Sequence, residues 1–80
     1  MKIIKLEQPN CRNCGFVENF LNDNEVEYES IDVMQNTDVA VKYGIMSTPV
    51  TILLDDEGKE VKRSNGYNPG ELEEMAELLG

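Results

Sequence analysis

The sequence predicts an α/β fold with the element order β-α-β-α-β-β-α. Three observations carry that expectation. An apolar run at Ile3, Ile4 and Leu6 is followed at once by a segment with apolar residues at helical spacing, Cys14, Val17 and Leu21. The run Val50-Thr51-Ile52-Leu53-Leu54 has the composition of a central strand covered on both faces. The chain then closes on a stretch that places Leu72, Met75, Ala76 and Leu79 on one helical stripe.

Each element has its own signal. Residues 2–7 are rich in β-branched side chains and read as a short, mostly buried strand, with Pro9 ending its pairing potential. Residues 8–11 form a turn, and a helix is expected from about Arg12 to Asn22, with Phe16 and Phe20 beside its apolar stripe. Gly15 is a weak helix former, about 1 kcal/mol worse than alanine, and is expected where another backbone comes close. Residues 26–33 alternate well enough for a second strand, which completes a βαβ unit with parallel strands and a right-handed crossover.

A short helix follows, capped by Asn36 or Thr37, with Val39 to Tyr43 as its body and Gly44 as its left-handed stop. After the central strand, Asp55-Asp56-Glu57-Gly58 is a turn by composition, and the more polar residues 59–64 suit a sheet edge. Asn65-Gly66-Tyr67 is a loop. The last helix is expected to start with Asn68 as N-cap, Pro69 in the first position and Glu71 completing something close to a capping box. Glu71, Glu73, Glu74 and Glu77 would be its solvated face. There is no repeat, linker or low-complexity run, so the 80 residues are read as one domain, 1–80, with a modest core.

The net charge is −9, from 16 acidic and 7 basic residues. That balance argues against nucleic acid and anionic membranes as partners, because both require clustered Lys and Arg. Its plain meaning is solubility; a sharper one is that partners carry a basic docking patch. No apolar stretch approaches the roughly 20 residues needed to cross a membrane, and the run in Met1 to Leu6 is too short for a signal peptide. A monomer in the reducing cytoplasm is the expectation.

The only two cysteines, Cys11 and Cys14, lie three residues apart, and the chain has no histidine. As a structural staple this pair would close too short a loop to restrict the unfolded chain much. As a chemical device it is well placed. On the expected helix, Cys11 projects from the N-terminal tip and Cys14 lies on the inward stripe. Free backbone N–H groups and the helix dipole favour a thiolate at Cys11. Cys11 would then attack a disulfide and Cys14 would resolve the mixed disulfide. Arg12 adds a positive charge beside the thiolate, although it also suits a plain exposed helix start. Metal binding is the competing reading of the pair. Zinc takes four protein ligands, or three and a water, so carboxylates or a second chain would have to complete the set.

Three stretches carry a resemblance to a known family: Cys11-Arg12-Asn13-Cys14, Tyr43-Gly44-Ile45-Met46-Ser47-Thr48-Pro49 and Asn65-Gly66-Tyr67-Asn68-Pro69. With the element order above, the chain resembles the thioredoxin-like superfamily over essentially its whole length. It looks like a minimal member lacking the extra N-terminal strand and helix of full-length thioredoxins. The third stretch is similar to the Gly-aromatic-x-Pro segment of glutaredoxin-like redoxins that serve ribonucleotide reductase. Short thioredoxins of Gram-positive bacteria and their phages look nearest overall.

The resemblance implies a four-stranded mixed sheet flanked by three helices, with a cis Thr48–Pro49 bond facing the dithiol; without it, Pro49 could be a trans residue that starts the strand. It also implies a substrate groove lined by Asn10, Arg12, Thr48, Pro49, Gly66 and Tyr67, where Thr48 backbone groups pair with an extended substrate. Tyr28 and Tyr43 are expected to be packing residues. There are departures. Asn10 replaces the tryptophan usual before the first cysteine, Arg12-Asn13 replaces Gly-Pro, and Lys5 stands where thioredoxins place a buried aspartate. The implied function is dithiol–disulfide exchange with no cofactor beyond the Cys11–Cys14 disulfide. Disulfide-containing protein substrates, ribonucleotide reductase among the candidates, and thioredoxin reductase are the implied partners. A glutathione-dependent, glutaredoxin-type enzyme and a non-catalytic binding module are the alternatives.

Overall fold

The computed structural model describes residues 1–80. The elements follow the expected order: β1 (Lys2–Glu7), α1 (Arg12–Asp23), β2 (Glu29–Asp32), α2 (Thr37–Tyr43), β3 (Val50–Leu54), β4 (Glu60–Asn65) and α3 (Pro69–Leu79). They build one mixed sheet with strand order β2-β1-β3-β4. β1 and β2 are parallel, as a helical connection between neighbouring strands demands. β3 runs antiparallel to β1, and β4 antiparallel to β3. Between β3 and β4, the Asp55 carboxylate accepts from the N–H groups of Glu57 and Lys59 at 2.8 and 2.9 Å, which ties the turn at its base.

The side-chain period of two divides the core between the sheet faces. Ile3 and Leu53 point to one face and pack with Val17 and Leu21 of α1 and Leu72 and Met75 of α3. Ile4, Leu6, Val50, Ile52 and Leu54 point to the other face, where Val33 and the half-buried Val39, Ala40 and Tyr43 of α2 join them. All five residues of β3 are buried, because helices cover both of its sides. Tyr28 and Tyr43 pack against these two clusters, as expected.

Several local expectations need correction. β2 pairs over four residues only, rather than across 26–33. The chain before it is held by the end of α1 instead: Val26 N–H donates to Leu21 O at 2.9 Å, and Val26 and Tyr28 pack on the α1 cluster. β4 begins and ends one residue later than 59–64. Asn36 holds the N-cap position of α2 but makes no side-chain cap; its amide donates to Asp32 O at 2.9 Å. Gly44 ends α2 with φ +64, as expected.

At α3 the capping box does not form. Asn68 occupies the N-cap and Pro69 the first turn, but the Asn68 amide donates back to Asn65 O at 2.6 Å. Glu71 is not part of a solvated face either; its carboxylate accepts from the buried Ser64 hydroxyl at 3.0 Å. The reason given for Gly15 also fails. A Cβ there would meet nothing within 4 Å, so no backbone approaches it.

Candidate functional site

β1 delivers the chain to the site. A turn after Glu7, with Asn10 at φ +59, swings the backbone into α1. Asparagine tolerates this left-handed conformation better than most residues. Cys11 is then the N-cap of α1, in an extended conformation, and its sulfur accepts from the Cys14 N–H at 3.2 Å. The cap position is usually held by a small oxygen-bearing side chain. A sulfur there receives the same free N–H donors and the same end of the helix dipole.

Cys11 and Cys14 form a disulfide with their Cα atoms 5.2 Å apart. The two sulfurs occupy different surroundings. Cys11 is half-buried at the surface, whereas the Cys14 residue is 5% exposed, on the same stripe as Val17 and Leu21. The Thr48 hydroxyl donates to the Cys11 sulfur at 3.6 Å, so the segment before β3 touches the exposed cysteine. The Thr48–Pro49 bond is cis and Pro49 is fully buried. Pro49 O accepts from Gly66 N–H at 2.8 Å, which brings the loop after β4 to the same point. Gly66 has φ +74, a conformation that side-chain-bearing residues rarely adopt.

The structure thus joins Cys11, Cys14, Thr48, Pro49 and Gly66 through bonds or chain continuity. Tyr67 continues the surface and packs on Phe16, with ring centroids 5.6 Å apart and planes tilted by 43°. Both aromatics are partly open to solvent, Tyr67 at 38% and Phe16 at 45%. Asn10 and Arg12 flank Cys11 in the chain and are exposed. Met46, two residues before Thr48, is 97% exposed. Phe16 was not singled out from the sequence for this surface. Its position, two residues past the buried Cys14 and off the apolar stripe, was the available signal.

Polar residues also lie inside, among them the lysine that stands at the buried-aspartate position of thioredoxins. Lys5 is 1% exposed, and its ammonium pairs with the Glu7 carboxylate at 2.6 Å and sits 5.7 Å from the Tyr28 ring centroid. Lys5 aligns with Ser30 on β2 and with Thr51 on β3, and Thr51 aligns with Ser64 on β4. One polar row therefore crosses all four strands. Within it Thr51 Oγ1 is buried without a hydrogen-bond partner. The signal was a lysine amid Ile3, Ile4 and Leu6.

Elsewhere, a groove lined by Ile3, Val26, Tyr28 and Leu79 among others lies towards the start of β1, away from the dithiol. Asp56, at the β3–β4 turn, is held below the usual carboxylate range by a hydrogen bond from the Met1 ammonium and by its charge. No group of three or more His, Cys, Asp or Glu side chains could hold a metal ion, and no helix is long and apolar enough to cross a membrane.

This arrangement of fold and dithiol recurs in known proteins. A family model described as "Thioredoxin domain" matches residues 1–79. The SPbeta prophage-derived thioredoxin-like protein YosR of Bacillus subtilis (strain 168) is 49% identical over 79 residues, spanning 99% of both chains. Among solved structures, the thioredoxin of Fasciola hepatica superposes with a TM-score of 0.77 at 30% identity, over 95% of this chain and 77% of that one. Mitochondrial thioredoxin 3 of Saccharomyces cerevisiae, in its oxidized form, shares the fold with a TM-score of 0.80 at 22% identity, over 94% and 74% of the two chains. The fold and the Cys11–Cys14 disulfide support thiol–disulfide exchange as the chemistry of the site. On the strength of the whole-length match, the chain belongs to the thioredoxin domain family.

Proposed function

We propose that this protein is a small cytoplasmic electron carrier that reduces protein disulfides and is itself recycled by thioredoxin reductase. The observation that carries this reading is the unequal placement of the two sulfurs: Cys11 at the helix tip with donors from Cys14 N–H and Thr48 Oγ1, and Cys14 buried behind it. N–H donors and a positive helix end lower a thiol pKa and favour the thiolate.

In the reduced protein the Cys11 thiolate attacks one sulfur of a substrate disulfide. A Cys11–substrate bond forms, the substrate bond breaks, and the leaving sulfur takes a proton from water. Cys14 then loses its proton and its thiolate attacks the Cys11 sulfur. The Cys11–Cys14 bond forms, and the second substrate sulfur leaves with the electron pair and is protonated. The substrate gains two electrons and two protons, and the reductase returns two electrons from NADPH.

An extended substrate segment would lie against Thr48 and Gly66, over the buried Pro49, with Asn10, Arg12 and Tyr67 beside it. Disulfide-bearing cytoplasmic enzymes are the substrate class, with ribonucleotide reductase one candidate. The acidic surface suits partners with a basic docking patch and disfavours anionic glutathione. The test is NADPH oxidation with insulin as disulfide substrate, coupled either to thioredoxin reductase or to glutathione and glutathione reductase. Turnover is expected with thioredoxin reductase. Turnover in the glutathione system alone would make the protein glutaredoxin-like, and none in either would make it a binding module.

A further inference from the structure

The charge of this chain is divided unequally between the two ends of its sheet. β1 and β2 end, β3 begins and β4 ends at the dithiol side. The connections that lead to it, residues 8–11, 33–36, 44–49 and 66–68, hold no charged side chain. At the other end lie residues 24–28 and 55–59, which hold Glu25, Glu27, Asp55, Asp56, Glu57 and Lys59. The 12 residues of α1 span the distance between the ends, about 18 Å. A cationic partner is therefore drawn to the end that lacks the dithiol.

That acidic end also holds the groove beside the start of β1. Its floor is apolar, made by Ile3, Val26, Tyr28, Ala76 and Leu79. Its volume of about 710 Å³ lies within the range of binding clefts, about 300–1,000 Å³. Glu25, Glu27 and Glu29 line it too, alternating along the chain with Val26 and Tyr28. The glutamates are exposed, and Val26 and Tyr28 are half-buried, the alternation of a strand with one covered face. Glu29 pairs with Lys2 at 3.4 Å, but Glu25 and Glu27 are in no ion pair. The backbone is open as well. β2 meets β1 only from Glu29 onward, and Glu27 and Tyr28 make no backbone hydrogen bond. Open N–H and C=O groups beside a sheet are where a further strand adds.

Charge decides among the occupants. A second copy would bring the same carboxylates against themselves, and nucleic acid and anionic lipid are repelled. We propose that this groove docks an extended segment of a partner protein in which Lys or Arg alternates with aliphatic residues. Its aliphatic side chains cover the floor at Val26, Tyr28 and Leu79, and its cations meet Glu25 and Glu27. The backbone of Glu27 and Tyr28 receives its N–H and C=O groups. Cys11 stays free at the far end of α1, so a partner is held at one end while a disulfide is reduced at the other. The docking itself does not depend on the exchange chemistry proposed above.

The test titrates the isotope-labelled, reduced protein with a short synthetic peptide that alternates lysine with leucine, followed by amide chemical shifts. Two control peptides alternate glutamate with leucine and lysine with serine. The lysine–leucine peptide is expected to shift the amides of Val26, Tyr28, Ala76 and Leu79 and to leave those of Cys11 and Gly66 in place. Both controls are expected to bind at least about tenfold more weakly, one for its charge and the other for its missing apolar area. The double variant Glu25→Gln/Glu27→Gln changes only exposed side chains and should bind the lysine–leucine peptide about fivefold more weakly, the size of two exposed ion pairs. Added salt should weaken it in the same direction. Insulin reduction by the peptide-saturated protein should match that of the free protein.

No shift at the groove, shifts centred on Cys11, equal affinity for any control peptide, or undiminished binding by the double variant would overturn the docking site. The glutamates would then serve only to keep sheet edges from pairing with one another. Inhibition of insulin reduction by the bound peptide would overturn the independence of the two ends. Docking as expected in a protein that never reduces insulin would instead overturn the electron-carrier reading alone, so the two failures are distinguishable.

Discussion

The two faces of the sheet are built to different rules. Under α2 the face is apolar throughout, with Ile4, Leu6, Val50, Ile52 and Leu54 filling it. Under α1 and α3, only the half towards the start of β1 is apolar; the other half carries Lys5, Thr51 and Ser64. Adjacent residues of β3 show the contrast. Ile52 points into the dry face, and Thr51 points into the polar row. An 80-residue chain has a small core, and devoting part of it to polar groups costs stability that must be regained elsewhere. The dry face supplies that stability, and the polar half is held by the Lys5–Glu7 ion pair and the Ser64–Glu71 hydrogen bond instead.

This comparison can be broken at several points. The largest expected effect is on activity. Cys11→Ser should reduce insulin reduction to the uncatalysed background, while its urea midpoint matches that of the reduced wild type. A residual rate through Cys14 would mean that the two sulfurs are not distinct in role. Next is Ile52→Ala on the dry face. Truncating a fully buried aliphatic side chain should cost about 2–5 kcal/mol in urea unfolding. That is a large share of what so small a domain has. A cost below about 1 kcal/mol would show that the dry face is not the main source of stability.

Phe16→Ala removes an exposed aromatic contact with Tyr67. It should cost about 0.5–1.5 kcal/mol and weaken reduction of a protein disulfide more than that of a small aryl disulfide. Equal effects on both substrates would remove this pair from the docking surface. The smallest expected change is at Thr51. Its hydroxyl is buried without a partner, so Thr51→Val should leave stability unchanged or raise it by about 1 kcal/mol. A loss above about 1 kcal/mol would show that the hydroxyl has a partner in solution, such as an ordered water.

Much of this was legible from residue patterns. The bounds of β1 and β3 follow from runs of apolar and β-branched residues, and those of α1 from its stripe and the turn residues around it. The dithiol was legible because only two cysteines exist and their spacing assigns one to the helix tip and one to its inner stripe. What escaped depends on tertiary choice. Alternation at residues 26–33 suggested a full strand, but Val26 and Tyr28 found burial against α1 instead of a longer pairing with β1. Asn68 and Glu71 had the spacing of a capping box, yet Asn65 O and the Ser64 hydroxyl were nearer partners once β4 and α3 met. The polar row is invisible along the chain because its members come from four strands and align only in the sheet.

The inequality of the two sulfurs is tested most directly by alkylation. The reduced protein is treated with iodoacetamide at neutral pH, and the modified cysteine is located by peptide mass mapping over time. Cys11 should be modified first, with Cys14 following only slowly. Equal rates, or faster modification of Cys14, would contradict a helix-tip thiolate backed by a sheltered partner.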